Sequence, residues 1–372
     1  MDRGLYIHVP FCRSKCAYCD FYSVTTTTSH ADYLSKLQLE AAQQQGKAIS
    51  TVFLGGGTPS LLAASELSAV LGMVSRYFFL DGEAEITIEI NPGTISRAYL
   101  AGCFAAGINR LSFGVQSFSP ELLQSLGRRH STLEAEQAVL WAGSVGFPHI
   151  NLDLIYGIPG QTLAQWRETL QFACQLPIDH LSLYALEVHA ATPLGRALAQ
   201  GECALPEEDT VADMYQLARD YLQAKGLAQY EISNFARPGA ECQHNLNYWR
   251  NGEYIGLGPA ACSYLSGERF CNLADLAAWS QALQQGLSPV GQRERLGDQG
   301  SMSETMVLGL RLTDGIDGVA FARRYGQTLE QVFGSVLAEL LQKGWLKKTE
   351  RGYALPEQLV LVANQVLIAF LE

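Results

Sequence analysis

Short apolar runs alternate with longer amphipathic stretches through the first half of the chain. Short runs rich in β-branched residues predict buried strands, whereas apolar residues that recur every three to four positions predict helices. Six such strand and helix pairs follow one another. The predicted strands span residues 5–10, 51–54, 85–90, 110–116, 150–155 and 180–187.

Repeated strand and helix units predict an α/β fold with a parallel sheet. Six units rather than eight predict a partial (βα)6 TIM-like barrel, open on one side and wide enough at its mouth for a large cofactor. Polar residues at the carboxyl ends of the strands face such a mouth. This rule selects residues 12–19 and 55–58 together with Glu89, Gln116, Asp153 and Tyr184.

The pattern changes in the second half of the chain, where an irregular segment precedes a predicted helix at 211–224 and an edge strand at 230–235. From residue 301 onward the pattern is local and mostly helical, and it ends in a predicted hairpin, which is typical of a winged-helix-like module. We therefore predict three parts. They are the partial barrel with its extension (1–235), a connecting segment (236–299) and a C-terminal winged-helix-like domain (300–372).

The charge balance limits the classes of partner, because 37 acidic residues outnumber 26 basic ones and give a formal net charge of −11. Phosphate contacts require a local excess of lysine and arginine, and the sequence has no long basic run. The few basic residues near the predicted hairpin do not change this picture. We therefore predict no DNA binding and interpret the winged-helix-like domain as a packing or lid domain.

No segment predicts export or membrane insertion. The amino terminus lacks an apolar signal core, and the longest apolar stretch, 359–371, is too short to span a bilayer and is interrupted by Asn364 and Gln365. We expect a cytoplasmic protein. In a reducing compartment, six scattered cysteines are interpreted as small core or loop residues. They are Cys103, Cys174, Cys203, Cys242, Cys262 and Cys271.

Three further cysteines, Cys12, Cys16 and Cys19, lie within eight residues of one another. Disulfides cannot satisfy this triplet, because one thiol is always left over and the loops between them are short. Structural zinc usually takes four ligands, and no second cysteine pair follows at a suitable spacing. Three thiolates on a four-iron cluster would leave one iron open. Zinc and reduced thiols remain the alternatives.

Polar groups also cluster at later strand ends. Three consecutive glycines, 55–57, let a ligand approach the backbone and leave N–H groups free to bond it, although such a turn is most often only a turn. Glu89 lies among apolar residues and needs a cation or a ligand hydroxyl or ammonium as its partner. Gln116 and Asp153 repeat this arrangement. Together they favour a ligand with ribose hydroxyls whose carboxylate meets Arg128, unless Asp153 simply pairs with Arg128.

A second dense set of polar and aromatic residues spans 242–249. It holds a histidine, asparagines and two aromatic side chains. A lone histidine is usually a satisfied core or surface residue, and a tyrosine beside a tryptophan usually serves packing. The same set would also suit a flat macrocycle, with the histidine as an axial ligand and the rings as stacking walls.

These motifs together resemble the radical S-adenosylmethionine (SAM) superfamily and, within it, the oxygen-independent coproporphyrinogen oxidase family. The likeness extends over nearly the whole chain, including residues 6–12, 55–59, 89–92, 114–117, 126–128, 151–159 and 230–236. It implies that Cys12, Cys16 and Cys19 hold a 4Fe-4S cluster whose open iron is chelated by SAM. It also implies that SAM is lined by Tyr6, Tyr18, Gly56, Gly57, Thr58, Glu89, Gln116, Arg128, Asp153 and Ala185.

Two features separate the branches of this family. The true oxidase branch is expected to have a further cysteine two residues after the triplet, where this chain has Phe21. It is also expected to have a long amino-terminal extension, whereas this chain starts eleven residues before Cys12. Both departures argue against decarboxylation of coproporphyrinogen. Residues 244–249 are similar instead to the His-Asn-x-x-Tyr-Trp motif of the HemW-type haem chaperone branch.

That branch implies a protein that binds haem and transfers it to apo-haem acceptor proteins. The likeness assigns haem binding to His244, Asn245, Tyr248 and Trp249, and it assigns no catalytic residue. Relatives often have a histidine in place of Cys262, which would then either substitute as a ligand or weaken the site. The alternative function is oxygen-independent coproporphyrinogen III oxidation by radical SAM chemistry. The sequence leaves a homodimer open.

Overall fold

The computed structural model describes residues 3–25 and 29–371. Six parallel strands with their helices come first, and they confirm the predicted α/β fold. The elements are β1 (Gly4–Val9), α1 (His30–Gln43), β2 (Ala48–Gly56), α2 (Ala64–Tyr77), β3 (Phe79–Ile90), α3 (Arg97–Ala105), β4 (Arg110–Gln116), α4 (Pro120–Ser125), α5 (Thr132–Val145), β5 (His149–Tyr156), α6 (Leu163–Ala173) and β6 (His180–Ala185).

The helices begin where the sequence supplies capping groups. Ser131 and Glu134 form a reciprocal capping box at the start of α5, and Thr162 and Gln165 do the same at α6. Each box satisfies N–H groups that the first helical turn would otherwise leave without partners. The capping boxes therefore set the residue at which each helix begins after its loop.

Alternation along each strand separates two environments. On β4, Leu111, Phe113 and Val115 are buried in the apolar core between the sheet and the helices. The intervening Arg110 and Ser112 point to the other face, which encloses a polar interior. This period of two follows from strand geometry, in which successive side chains point to opposite faces. The barrel interior is therefore polar in this chain.

Further elements extend the sheet at both of its edges. Along the chain they are α7 (Pro193–Ala199), α8 (Glu208–Ala224), β7 (Ala228–Gln229), β8 (Asn234–Ala236), α9 (Gln243–Trp249), β9 (Tyr254–Leu257), β10 (Cys262–Leu265), β11 (Glu268–Asn272), α10 (Leu276–Gln284) and β12 (Val290–Arg295). The twelve strands run in the order β12-β11-β10-β9-β1-β2-β3-β4-β5-β6-β8-β7. Strand β9 pairs in parallel with β1, and β8 pairs antiparallel with β6.

The last part of the chain forms a second apolar core. Its elements are α11 (Asp298–Gly309), β13 (Ile316–Asp317), α12 (Gly318–Tyr325), α13 (Leu329–Gln342), β14 (Lys347–Lys348), β15 (Gly352–Ala354) and α14 (Ala363–Leu367). The three short strands form a separate sheet in the order β13-β15-β14. The hairpin of β14 and β15 lies where the sequence predicts one. The predicted domain boundaries stay a prediction.

None of the helices in the described ranges has the length and apolarity that crossing a bilayer requires.

One expectation about the cysteines is wrong. Cys262 on β10 lies directly opposite Cys271 on β11, and the two are joined by a disulfide. The sequence-based interpretation as small core or loop residues missed this pair, because the nine-residue separation gave no sign that a tight hairpin brings them into register. In this state Cys262 has no free thiolate for a metal.

We expect a thiol titration to reveal this disulfide. The chain has nine cysteines, and seven of them are free in the structure. Metal-free protein that is denatured without reductant should show seven reactive thiols, and reduction should raise the number to nine. A Cys271→Ser variant should give the same number before and after reduction. Nine thiols without reductant would contradict the pairing.

Candidate functional site

One large cavity opens at the carboxyl ends of β1 to β6. Its volume is about 860 Å³, within the range of small-molecule sites. The cysteine loop lines part of it, and residues of α9, of the loop after α11 and of α14 line other parts. Because the fold brings the sequence-predicted polar strand ends to this single cavity, it is the candidate site.

The three cysteines all line this cavity and are partly exposed to it. The Sγ of Cys12 lies 3.4 Å from the Oγ1 of Thr58, and an Nη1–H of Arg128 donates to the Sγ of Cys16 at 3.5 Å. The backbone N–H of Ala17 donates to Leu126 at 3.0 Å, so the loop is fixed against the β4 side of the barrel. Burial raises the pKa of the Cys19 thiol, which favours its neutral form until a metal binds.

The donor set of the loop fits a four-iron cluster. Within the described ranges, no three histidine, cysteine or acidic side chains are arranged to hold one metal ion. A structural zinc would draw its thiolates to about 2.3 Å from one centre. In a four-iron cluster each cysteine binds a different iron, so the sulfurs stand farther apart. The three thiols on one loop therefore suit a cluster, with Arg128 placed to offset part of its negative charge.

The glycine turn after β2 is packed too closely for side chains. A Cβ on Gly57 would lie 2.7 Å from the carbonyl oxygen of Phe11, and one on Gly56, where φ is 108°, would lie 2.6 Å from the ring of His8. The N–H of Gly56 donates to the Oε2 of Glu89 at 3.0 Å, and that of Gly57 donates to Val9 O at 2.8 Å. The expectation that these two N–H groups are free for a ligand is therefore wrong.

Two partly buried carboxylates, Glu89 and Asp153, lie at the mouth. The pKa of Glu89 is raised to about 8, chiefly by burial and also by the nearby Asp153, while the hydrogen bond from Gly56 opposes both effects. Burial also raises the pKa of Asp153, which accepts hydrogen bonds from Ser112 at 3.0 Å and Asn151 at 2.8 Å. A ligand ammonium or hydroxyl would favour the ionised form of Glu89. The chemistry of this pair therefore fits the amino acid and ribose parts of SAM.

Arg128 does not form an ion pair with Asp153 within the described residues, so the simple pairing that the sequence left open is absent there. Its Nη2–H donates instead to the carbonyl oxygen of Gly114, beside the cysteine loop. The sheet register shifts between Gly114 and Gln116, and Gln116 adopts a φ of 68°, which is rare for a residue with a side chain. This backbone turn brings Gln116 to the cavity wall.

Nine of the ten residues that the resemblance assigns to SAM line the cavity. They are Tyr18, Gly56, Gly57, Thr58, Glu89, Gln116, Arg128, Asp153 and Ala185. Tyr6 lies behind the wall, where its ring stacks 6.2 Å from Phe53 and its hydroxyl lies 3.2 Å from the Nδ1 of His8. These positions do not test SAM binding itself, which stays a prediction.

The motif on α9 has a different environment from the one expected of a haem ligand. His244 is 1 % exposed, its Nδ1 lies 2.8 Å from Thr51 Oγ1 on β2, and its Nε2 lies 2.9 Å from the hydroxyl of Tyr248. Burial lowers the pKa of His244 to about 4, so the ring is neutral. Both nitrogens are engaged within the protein. Of the four residues predicted to bind haem, Asn245 lines the cavity.

Glu85 fixes the start of α9. Its carboxylate accepts hydrogen bonds from the backbone N–H groups of Gln243 at 3.0 Å and His244 at 2.9 Å, and it forms an ion pair with Arg110 at 2.9 Å. An anion at a helix start is favourable because the first N–H groups lack helical partners. The motif is therefore attached to the inner faces of β2 and β3.

Sequence reasoning missed several residues of the cavity wall, above all Thr87, Arg110 and Arg311. Arg110 follows Asn109 at the start of an apolar strand, and a lone arginine at such a position is a signal that could have been used. Thr87 and Arg311 carry no such signal, because a single threonine or arginine has no spacing to compare.

Two family models match the chain. The radical SAM superfamily matches residues 6–173, and the HemN C-terminal domain matches residues 299–360. A curated relative from Bacillus subtilis, named heme chaperone HemW, is 36% identical over 375 residues, which cover 99% of each chain. A second heme chaperone HemW, from Mycobacterium tuberculosis, is 40% identical over 321 residues, covering 84% of this chain and 82% of the relative.

Among solved structures, coproporphyrinogen III oxidase (HemN) from Escherichia coli is similar over 99% of this chain and 90% of that one. The TM-score is 0.86 and the sequence identity is 24%. At this identity the likeness shows a shared fold. It agrees with the partial barrel predicted from the sequence.

Proposed function

This chain belongs to the family of radical SAM proteins whose curated members are named heme chaperone HemW, and from that premise we propose that it is a haem chaperone. It would bind haem, a 4Fe-4S cluster and SAM, and transfer the haem to apo-haem acceptor proteins. The observation that carries the proposal is the composition of one cavity. The three cysteines and Asn245 of the His-Asn-x-x-Tyr-Trp motif line the same cavity.

The cluster and SAM would occupy the mouth of the barrel. Cys12, Cys16 and Cys19 would hold the cluster, and the nine wall residues described above would surround SAM, with Tyr6 supporting them from behind. When bound, the cluster and SAM together supply one-electron chemistry or a ligand-dependent switch. The chain's own contribution is to position SAM. Glu89 would accept a hydrogen bond from its ammonium, and Arg128 would remain beside Cys16.

The haem-binding set stays part of this proposal under one condition. An imidazole nitrogen of His244 becomes available to iron only if its hydrogen bond to Thr51 or to Tyr248 opens. The face of α9 that carries Asn245 needs no such change, because it already lines the cavity. Haem would therefore lie against this face.

The proposal includes the partners predicted from the sequence. Haem is the cargo and apo-haem proteins are the acceptors, whereas DNA is not a partner, in keeping with the net charge of −11. The cytoplasmic location and a homodimer remain proposals of the same kind.

The decisive experiment is a haem titration and a coproporphyrinogen III turnover assay on one anaerobically reconstituted sample. We expect a Soret band to appear at micromolar haem, and no release of carbon dioxide from coproporphyrinogen III in the presence of SAM and dithionite. The second expectation follows from Phe21, which stands where the oxidase branch is expected to have a further cysteine. Failure to take up haem would refute the chaperone proposal, and carbon dioxide release would establish the oxidase instead.

His244→Ala belongs in the same titration. If His244 is an axial ligand, its loss shifts the Soret maximum. An unshifted maximum would place the iron ligand elsewhere and leave His244 with its observed role of joining α9 to β2. Thr51→Val is the matched variant, because it removes the same hydrogen bond and leaves the imidazole in place.

A further inference from the structure

Two arginines, Arg110 and Arg311, line the cavity next to α9, and neither has an assigned ligand. Arg110, on β4, is 2 % exposed. Its Nε–H donates to Glu85 at 2.9 Å and its Nη2–H to Ala240 O at 2.6 Å. The buried Nη1 has no hydrogen-bond partner. A buried donor without a partner is costly, so this nitrogen points to a ligand group that the apo protein lacks.

Thr87 repeats this observation on the neighbouring strand. It is the register partner of Arg110 across β3 and β4, it is 1 % exposed, and it lines the same cavity. Its Oγ1 is buried without a partner. The side chains of Thr87 and Arg110 are therefore neighbours in the wall, and each has a buried polar atom without a hydrogen-bond partner.

Arg311, after α11, adds a cation to this side of the cavity. Its guanidinium lies 5.6 Å from the centre of the Trp249 ring, and its Nη2–H donates to the Oδ1 of Asn364 at 3.2 Å. Within the described residues no carboxylate lies within 4.0 Å of it. The charge of Arg311 slightly opposes the rise that burial causes in the pKa of Glu231, whose carboxylate accepts hydrogen bonds from Ser233 and Asn234. Arg311 is thus held in place by an aromatic ring and an amide, without a neutralising partner.

We propose that these residues form a carboxylate site, the arginine wall (Thr87, Arg110, Asn245 and Arg311), and that it binds the propionate groups of haem. The free Nη1 of Arg110 can donate a charge-assisted hydrogen bond to one carboxylate oxygen, and the neighbouring Thr87 hydroxyl can donate to the same group. Haem carries its two propionates on one edge, so two arginines in one wall suit it. This inference rests on the proposed function and extends it, because it states which edge of the haem faces α9.

SAM also has a carboxylate and is the competing source for this wall. The cysteine loop, however, lies beside Arg128, and SAM must reach the cluster held there. Arg128 is therefore the arginine that suits SAM. The arginine wall remains for a second ligand in the same cavity. The experiment below separates the two carboxylate sources.

The test compares haemin with haemin dimethyl ester, in which both propionates are uncharged. Both are titrated into the reconstituted full-length protein in a fixed low concentration of non-ionic detergent, with Soret absorbance as the readout. Charge-assisted hydrogen bonds to one arginine correspond to a preference of about tenfold or more. We expect the wild type to bind haemin at least about tenfold more tightly than the diester. Arg311→Gln should weaken haemin binding by about tenfold and leave diester binding unchanged.

Arg323→Gln is the matched control. Arg323 is exposed on α12 and outside the cavity wall, and its replacement removes the same charge. It should bind both ligands as the wild type does. Equal affinity of the wild type for haemin and diester, or unaltered haemin binding by Arg311→Gln, would overturn the arginine wall while leaving the chaperone proposal intact. Loss of the preference on addition of SAM would assign the wall to SAM and overturn the inference as well.

Absence of haemin binding by the wild type would have a different meaning. It would refute the proposed function, and the arginine wall would fail with it. The ester comparison in the wild type needs no variant, so a folding defect cannot produce its result.

Discussion

Replacing Cys16 with alanine should abolish assembly of the iron–sulfur cluster. The chain offers three thiolates on one loop, and removal of one leaves two, which do not retain a four-iron cluster. Iron and sulfide in anaerobically reconstituted protein should fall to background, from about four of each per chain in the wild type. The broad brown visible absorbance should disappear with them. SAM binding should also be lost, because the open iron is its proposed anchor.

Cys203→Ala is the control for that change. Cys203 is a partly buried free cysteine outside the cavity wall, so its loss alters the thiol count without touching the site. It should retain the full cluster. Retention of cluster iron by the Cys16→Ala variant would contradict the assignment of the loop. A colourless wild-type protein that binds one zinc per chain would also contradict the assignment of the loop to a cluster.

Replacing Glu85 with alanine should cause the largest loss of stability among single substitutions near the site. The Glu85 and Arg110 side chains are 9% and 2% exposed, so removal of Glu85 leaves a buried guanidinium without its counterion. Breaking a buried ion pair in this way costs about 3–5 kcal/mol. The start of α9 also loses the acceptor for two backbone N–H groups. The urea midpoint and Tm of the metal-free protein should both fall.

Glu83→Ala is the matched control, because Glu83 lies on the same strand and is exposed. Its effect should stay within about 0.5 kcal/mol. The double variant Glu85→Gln, Arg110→Met should recover part of the loss, since neither buried charge then remains. An unchanged midpoint in Glu85→Ala would show that the ion pair does not hold α9 to the barrel.

The six barrel strands could be predicted from the sequence because each carries its own signal. Residues such as Leu111, Phe113 and Val115 alternate with polar ones, so the run is visible without any knowledge of its neighbours. The order of the strands then follows from the right-handed connections of parallel units. The cysteine loop and the polar strand ends were placed at one cavity by the same reasoning, and the structure confirms that they meet there.

The strands β9 to β12 could not be predicted in this way. They are four to six residues long, and β11 and β12 are mostly polar, so they lack an apolar alternation. Their place in the sheet depends on the pairing of β9 with β1, which joins residues about 250 positions apart. Nothing local to 254–295 reports on that pairing.

The direction of His244 could not be predicted either. A seven-residue helix has no orientation of its own, and the one it adopts here is set by Thr51 and Glu85 on distant strands. The sequence motif showed which residues lie close together along α9. It did not show that the histidine points at the sheet while the asparagine points at the cavity. Arg110 and Arg311 were missed for a related reason, since only the fold brings them to one wall.

The added strands at the two edges of the partial barrel also affect how this chain meets copies of itself. A three-quarter barrel of parallel strands would expose two rows of unpaired backbone groups, which invite strand exchange and aggregation. Here the β1 edge continues outward to β12, whose residues Gln292, Arg293, Glu294 and Arg295 are exposed. Charged side chains along an outermost strand discourage another strand from pairing with it. On the β12 side, the open barrel can therefore keep a wide mouth without presenting an edge to which another strand would pair.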